Sequence, residues 1–270
     1  MNLLKPKVAA IQMNSTNHVA DNLRLAAELV TAAANAGAQL VLLPEYFCFM
    51  GKTDDARVAL GEQSGDGPIQ AFLSQLAREN QIWLSAGTVP LCSDDPNRVY
   101  NSNLLYNELG EYVARYDKIH LFGFKNEAES YAEADTLMPG KQIRTFSTPV
   151  GNIRASVCYD LRFPEMYRQA PVYELITVPA AFTYTTGEAH WETLLRTRAI
   201  ENQCYVIAAA QTGTHPNGKR TYGHSMIIDP WGVILDQKVD GNGFVIAEID
   251  LFYLTHIRQI LPALDNRIFK

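Results

Sequence analysis

The chain has 270 residues, 47% hydrophobic and 19% charged, and carries a formal net charge of −6. This is ordinary globular composition, and a chain of this length buries roughly three quarters of its unfolded surface without disulfide staples. The lack of a Lys/Arg cluster excludes the electrostatic footprint of a nucleic-acid binder, and the lack of an apolar run of ~20 residues excludes a membrane-spanning helix.

The N-terminal Met1-Asn2-Leu3-Leu4-Lys5-Pro6-Lys7 has no apolar core of the signal-peptide kind and leads into a strand, Val8 to Met13. A helix follows over about Ala20 to Ala36, with Leu23, Ala26, Ala27, Val30 and Ala34 on one stripe and Asn35-Ala36-Gly37 as its stop. Leu40 to Leu43 reads as the next strand, with Glu45 just beyond it. Pro68 opens a second helix that runs to about Asn80. Ile82 to Val89, Val99 to Tyr106 and Tyr112 to Ile119 read as strands, the last two joined by a turn at Glu108-Leu109-Gly110. Ile153 to Val157, Pro164 to Gln169 and Glu174 to Val178 then repeat the opening order of strand, helix and strand. Both second strands run into an apolar residue and proline, Leu43-Pro44 and Val178-Pro179, which predicts two similar halves around one site. A long helix over about Glu188 to Gln203 and a strand from Tyr205 to Gln211 follow. The turn Asp229-Pro230-Trp231-Gly232 joins strands His224 to Asp229 and Val233 to Asp236, and Phe244 to Ile249 is the last strand.

No linker or low-complexity run divides the chain, so a single domain over residues 1–270 is expected. Buried strands alternating with amphipathic helices predict an α/β fold with helices covering two packed sheets, a four-layer α/β/β/α sandwich. The cysteines at 48, 92, 158 and 204 show no C-x-x-C spacing and read as reduced thiols, which makes the cytoplasm the expected compartment. His215 and His224 fit no zinc spacing, so neither a metal nor a cofactor is expected.

Three reactive side chains sit at strand ends. Cys158 follows Arg154-Ala155-Ser156-Val157 and precedes a predicted helix, a turn that exposes a nucleophile beside backbone N–H groups. The alternative is a buried core thiol. An activated thiol needs a neighbouring cation to lower its pKa. Lys118 can hold an oxyanion or be a surface lysine; Glu45 can shuttle protons or merely cap the sheet. Cys48 is expected to line the site, Cys204 to be core and Cys92 to be incidental. His120 can share a strand face with Lys118, but it and His190 read better as packing or surface residues.

Leu43-Pro44-Glu45, Tyr116-Asp117-Lys118-Ile119-His120-Leu121-Phe122 and Cys158-Tyr159-Asp160-Leu161-Arg162-Phe163-Pro164-Glu165 together resemble the three signatures of the nitrilase (carbon–nitrogen hydrolase) superfamily. The likeness extends through Ala181-Phe182-Thr183, Gly187 to Glu192, Arg198 to Gln203 and Tyr222 to Met226, over roughly residues 7 to 250. It implies a Glu45–Lys118–Cys158 triad, a supporting Glu133, and the sandwich fold, commonly dimerised or further oligomerised. Cys158 to Glu165, with Gln211 to His215 and Tyr222 to Met226, is most similar to the deaminated-glutathione amidases, with the ω-amidases close by. The implied reaction is hydrolysis of a primary amide of a small carboxylate-bearing substrate to acid and ammonia through a Cys158 thioester. Substrate contacts are implied at Tyr159, Arg162, Phe182 and Thr186. Arg162 suits a carboxylate, which a guanidinium binds bidentately, unless it pairs with Asp160 or Glu165. A nitrilase, a carbamoyl-amide hydrolase and a silent scaffold on the same fold are the alternatives. Gly123, where many relatives are acidic, and the short Gln169 to Tyr173 segment depart from the family pattern.

Overall fold

The computed structural model describes residues 5–53, 55–125, 127 and 130–268. Among these, one sheet has eight strands and a second has six. The first runs in the order Gly243–Glu248, Lys7–Gln12, Ala38–Leu42, Trp83–Ser85, Val99–Tyr106 and Val89–Cys92, and Tyr112–Asp117 and Leu137–Met138 also pair with Val99–Tyr106. The second runs Thr145–Thr148, Gly151–Ala155, Leu175–Ala180, Tyr205–Ala210, Ser225–Ile228 and Ile234–Lys238. The central strands of both sheets are parallel. Such strands are covered on both faces, which is why they appear in the sequence as unbroken apolar runs.

Alternation along the first strands assigns the layers. Ala9, Ile11 and Val41 join Ala26, Val30 and Ala33 of helix Val19–Asn35 and Ile69, Leu73 and Leu76 of helix Pro68–Asn80. Val8, Ala10, Leu40 and Leu42 point the other way and pack with Ile153, Ala155, Ile176 and Val206 of the second sheet. Trp191, Leu195 and Ala199 of helix Tyr184–Asn202 belong to that same buried cluster. The layers are therefore helix, sheet, sheet, helix, as expected.

Several boundaries differ from the sequence-based expectation. The run Ile82 to Val89 is two strands, Trp83–Ser85 and Val89–Cys92, because the chain bends at Gly87, whose φ is +54°. A Cβ at Gly87 would lie 2.1 Å from the Pro44 carbonyl oxygen, so the bend presses directly against the segment that carries Glu45. The long helix begins at Tyr184 rather than Glu188, because the Thr183 hydroxyl accepts from the Thr186 N–H and caps it. A final helix, Leu251–Ile260, was not expected; the Asp250 carboxylate caps it by accepting from Tyr253 N–H at 2.9 Å. The two proposed half-units share a plan of parallel strands with a helical crossover, but the first crossover is a 17-residue helix and the second a short turn plus the four-residue helix Pro164–Tyr167. Among the described residues no helix is long and apolar enough to cross a membrane.

The sheets are stitched at one edge. Met13 N–H donates to Ala210 O and Thr212 N–H to Met13 O, at 3.3 and 2.9 Å. The C-terminal ends of the parallel strands meet there, which is where open α/β sheets place ligands.

Candidate active site

Each reactive residue is held by backbone that leaves it little freedom. Glu45 follows Ala38–Leu42, and Tyr46 immediately turns the chain with φ +57° while its N–H donates to Thr88 Oγ1 at 2.9 Å. Lys118 follows Tyr112–Asp117, fixed by its own N–H to Asn101 O and by Gly140 N–H to its carbonyl, at 3.0 and 2.8 Å. A Cβ on Gly140 would fall 2.1 Å from Asp117 O, so only glycine permits that approach. Cys158 opens a 3₁₀ turn, Cys158–Arg162, with φ +48°. Positive φ at a non-glycine residue is uncommon and concentrates at functional sites.

The buried Asp160 carboxylate locks that turn to the lysine segment. One oxygen accepts from Val157 N–H and Tyr116 Oη–H, at 2.9 and 2.6 Å; the other accepts from His120 N–H at 3.0 Å and lies 2.7 Å from His120 Nδ1. His120 also stacks on Phe163, with ring centroids 3.6 Å apart, so it is a packing residue of this junction.

Glu45, Lys118, Glu133 and Cys158, drawn from four separate segments, converge. Lys118 Nζ donates to Glu45 Oε1 at 2.9 Å and to the two Glu133 oxygens at 2.9 and 2.8 Å. Glu45 accepts further bonds from Asn101 Nδ2 at 2.9 Å and Ala181 N–H at 2.8 Å. Glu133 accepts from Tyr46 Oη–H at 2.9 Å and Phe122 N–H at 2.7 Å. Lys118 and the Glu45 side chain are fully buried.

The two carboxylates are tuned in opposite directions. Burial raises the Glu45 pKa, and the nearby Glu133 charge adds to this, outweighing Lys118. Burial also opposes ionisation of Glu133, but the Lys118 charge and the bonds from Lys118, Phe122 and Tyr46 overcome it and hold Glu133 below its ordinary value. Lys118 is kept firmly protonated despite burial by Glu133 and Glu45. Carboxylates pushed apart in this way divide into a proton carrier and a permanent charge. Burial and then the Glu45 charge push the Cys158 thiol well above its ordinary value. This corrects the expectation of a cation-lowered thiol: Lys118 pulls the other way, but not enough.

Two hollows meet at Cys158 and share Phe122, Ala181 and Thr183. The smaller brings together Tyr159, Arg162, Phe182 and Thr186, the residues the sequence singled out. Arg162 forms no ion pair with Asp160 or Glu165 among the described residues. Its guanidinium lies 5.1 Å from the Phe182 ring centroid and 5.9 Å from that of Tyr159, with one nitrogen 3.3 Å from His190 Nδ1. The larger hollow is lined by Tyr46, Glu133, Arg57, Asn217, Lys219 and Arg220 among others. Sequence reasoning missed its cations because Arg57 lies far along the chain from the adjacent Lys219 and Arg220.

Asn101 was also missed, although a polar residue inside an apolar strand is a signal. Cys48 does not line either hollow; it is 1% exposed in the core beneath the first sheet, its Sγ 3.9 Å from Thr88 O, and burial pushes its thiol up to about 12. Cys204 is fully buried and Cys92 is half-buried at a strand end. Among the described residues no group of three or more His, Cys, Asp and Glu side chains could hold a metal.

Residues 7–259 match the carbon–nitrogen hydrolase family. The deaminated glutathione amidase of Yersinia enterocolitica is 41% identical over 267 residues, covering 97% of this chain and 93% of that protein. The Caenorhabditis elegans NitFhit protein superposes with a TM-score of 0.91 at 37% identity; 97% of this chain is covered, and it spans 65% of that longer one. A Saccharomyces cerevisiae protein of branch 10 of the nitrilase superfamily superposes with a TM-score of 0.87 at 30% identity, covering 98% of this chain and 97% of that one. With the fold, the full-length match and these relatives in agreement, the chain belongs to the carbon–nitrogen hydrolase family of the nitrilase superfamily and is an enzyme acting on carbon–nitrogen bonds.

Proposed function

We propose that the enzyme is an amidase that cleaves a small, carboxylate-bearing amide, deaminated glutathione or a 2-oxo acid ω-amide, through a thioester on Cys158. Glu45 takes the Cys158 proton as sulfur attacks the amide carbon. Lys118 and the backbone N–H near Tyr159 hold the developing oxyanion, a donor type whose loss costs roughly 3 kcal/mol of barrier. Glu45 returns the proton to the departing nitrogen as the carbon–nitrogen bond breaks. It then takes a proton from water, which attacks the thioester and frees the acid and the thiol. Glu133 orients Lys118 and keeps it charged.

The observation that carries the substrate choice is Arg162. Its guanidinium lines the smaller hollow beside Cys158, against the Phe182 ring and His190 Nδ1, and forms no ion pair with Asp160 or Glu165 among the described residues. A carboxylate on the acyl half is its fitting partner. Arg162→Lys keeps the charge but loses the fork, and should raise KM for carboxylated amides about tenfold more than for uncharged ones. Equal effects would remove the carboxylate assignment. A release screen for ammonia and amines over deaminated glutathione, 2-oxoglutaramate, simple amides, a nitrile and an N-carbamoyl compound tests the reaction class. Turnover confined to the nitrile or the carbamoyl compound would overturn the amidase reading.

The same proposal keeps the protein cytoplasmic, in line with four free thiols, and pairs it with a second copy. Exposed Ile200, Trp231 and Val233 give apolar area for such a contact, and Ile200 abuts Gly232 in the turn that carries Trp231. Sedimentation of a monomer at micromolar concentration would refute the pairing.

A further inference from the structure

Three consecutive polar residues, Asn101, Ser102 and Asn103, interrupt the strand Val99–Tyr106, and all three are buried. Alternation along the strand sends Asn101 and Asn103 to one face and Ser102 to the other. Ser102 Oγ–H donates to Asp117 Oδ1 at 2.5 Å. Asn103 Nδ2 donates to Gly87 O at 2.7 Å, at the bend that presses on Pro44. Asn101, 2% exposed, touches two members of the site itself. Its carbonyl accepts from Lys118 N–H at 3.0 Å, and its Nδ2 donates to Glu45 Oε1 at 2.9 Å. A buried amide is costly unless it is paired, and an apolar residue would fill the same space in this strand at no such cost.

The bonds on the Glu45 carboxylate are unequal. Oε1 accepts two, from Lys118 Nζ and Asn101 Nδ2, each at 2.9 Å. A carboxylate oxygen offers two lone pairs, so Oε1 is full. Oε2 accepts one, from Ala181 N–H at 2.8 Å. That peptide is itself held, since the preceding Ala180 O accepts from Gln211 N–H at 2.8 Å. The fully buried Gln211 side chain also donates from Nε2 to Glu45 O at 3.0 Å. Backbone and carboxylate of Glu45 are thus fixed from separate strands, and the carboxylate cannot turn over without giving up three bonds. Among the described residues no nitrogen donor takes the second lone pair of Oε2, and Cys158 is hydrogen-bonded to this same carboxylate.

We infer that Asn101 is a positioning residue for the general base: by filling Oε1 together with Lys118, it makes Oε2 the oxygen that carries the proton. The inference rests on the reading of Glu45 as the base, and adds which oxygen serves and what selects it. In the first step the Cys158 S–H bond breaks, its proton bonds to Oε2, and the sulfur electron pair forms the bond to the amide carbon. In the second the Oε2–H bond breaks, and the proton goes to nitrogen as the carbon–nitrogen bond opens. Oε1 stays bonded to Lys118 and Asn101 throughout, so Glu45 changes charge without changing place. Without the amide, Oε1 has an open lone pair and the proton has two seats, only one of which serves the sulfur. The Asn101 bond is also stronger to the ionised carboxylate than to the acid, so it opposes the effect of burial on Glu45. The titratable groups around Glu45 are Lys118, Glu133, Cys158 and Tyr46, and all of them stay in place when Asn101 is changed.

The test is steady-state kinetics across pH on deaminated glutathione, or on 2-oxoglutaramate where only that is turned over. Asn101→Leu keeps the volume and removes the donor; Asn101→Asp keeps the shape and sets a second acid beside Glu45. In Asn101→Leu kcat should fall about 10- to 100-fold, the scale of one charge-assisted bond, with KM within about threefold. Losing the donor favours the protonated Glu45, so the acid limb of kcat/KM should move to higher pH in Asn101→Leu and further in Asn101→Asp. The limb is a position on the pH axis, so a loss of folded protein does not mimic it. A packing role alone lowers Tm and leaves the limb where it was. An unmoved limb in both variants overturns the inference and leaves Glu45 as the base. Where neither variant folds, the unaltered enzyme with isotope-labelled asparagine decides: one asparagine side-chain amide resonance should move with pH across the acid limb and stay still in Glu45→Gln. The lack of any such resonance overturns the inference. A Glu45→Gln enzyme with kcat within about threefold of the unaltered one overturns the reading of Glu45 as the base, and the inference with it.

Discussion

Glu133→Gln separates a permanent charge from a mere spacer. Glu133 presents two oxygens to Lys118 at 2.9 and 2.8 Å and one of them to Phe122 N–H at 2.7 Å. A glutamine keeps one acceptor and turns an amide N–H toward donors, so at least one charge-assisted bond is lost. Such a bond contributes about 1.5–3 kcal/mol, equivalent to roughly a 10- to 150-fold change. If Glu133 positions the lysine for the oxyanion, the loss falls on kcat, by about a hundredfold, while KM moves little. The pH profile supplies a second readout. The Glu133 charge is one of the causes that raise the Glu45 pKa, so removing it lowers that pKa. Glu45 must be ionised to act as a base, and the acid limb of kcat/KM therefore shifts to lower pH. Steady-state kinetics across pH measure both effects. A kcat within about threefold of the unaltered enzyme and an unmoved acid limb would refute the positioning role. Stability carries its own sign. Glu133 is held below its ordinary 4.5, so its contribution is present above that value and is lost as pH falls through the depressed one. The variant should flatten that part of the acid-unfolding curve.

Two further outcomes are expected. Alkylation of Cys158 by iodoacetamide, followed by peptide mapping, should show a midpoint above that of an ordinary thiol, and Glu45→Gln should shift it downward by removing a like charge; a midpoint below the ordinary value in the unaltered enzyme would contradict the raised thiol. Asp160→Asn replaces an oxygen that faces two donors by an N–H group and should cost about 3 kcal/mol, a fall in Tm of about 5–10 °C by calorimetry, with a matching loss of kcat; an unchanged Tm would dismiss Asp160 as the lock of the nucleophile turn.

Legibility followed burial. Lys7–Gln12, Ala38–Leu42, Leu175–Ala180 and Tyr205–Ala210 are almost wholly buried, and a strand covered on both faces writes itself as an apolar run. Glu45 and Cys158 stood out because each follows such a run, whereas Lys118 follows Tyr112–Asp117, a strand that is largely open and mixes polar with apolar residues. The hairpin of Thr212–Thr214 and Arg220–Tyr222 had no such signal: its strands are three residues long, and a single buried histidine supplies much of their anchorage. Helix Leu251–Ile260 was hidden by its aromatic and β-branched residues, which favour strands; only Asp250 marked its start. Cys48 was misplaced because proximity to Glu45 in sequence says nothing about facing, and the turn at Tyr46 sends Cys48 to the other side of the sheet.

The directions of the four pKa shifts bear on the proton transfer proposed above. Lys118 and Glu133 are fixed as a charged pair, one raised and the other lowered. Cys158 and Glu45 are both raised by burial, Cys158 further by the Glu45 charge and Glu45 further by the Glu133 charge. A thiolate beside an ionised Glu45 would place two anions and Glu133 against one ammonium in a buried site, which is the costliest arrangement available. The thiolate is therefore compatible with this site only when Glu45 carries the proton. In the proposed mechanism the proton therefore passes from Cys158 to Glu45 as sulfur meets carbon. In the same proposal the anionic charge passes from sulfur to the amide oxygen, next to the lysine that Glu133 keeps charged. Burial raises the Cys158 thiol, and in this proposal that couples its activation to the attack.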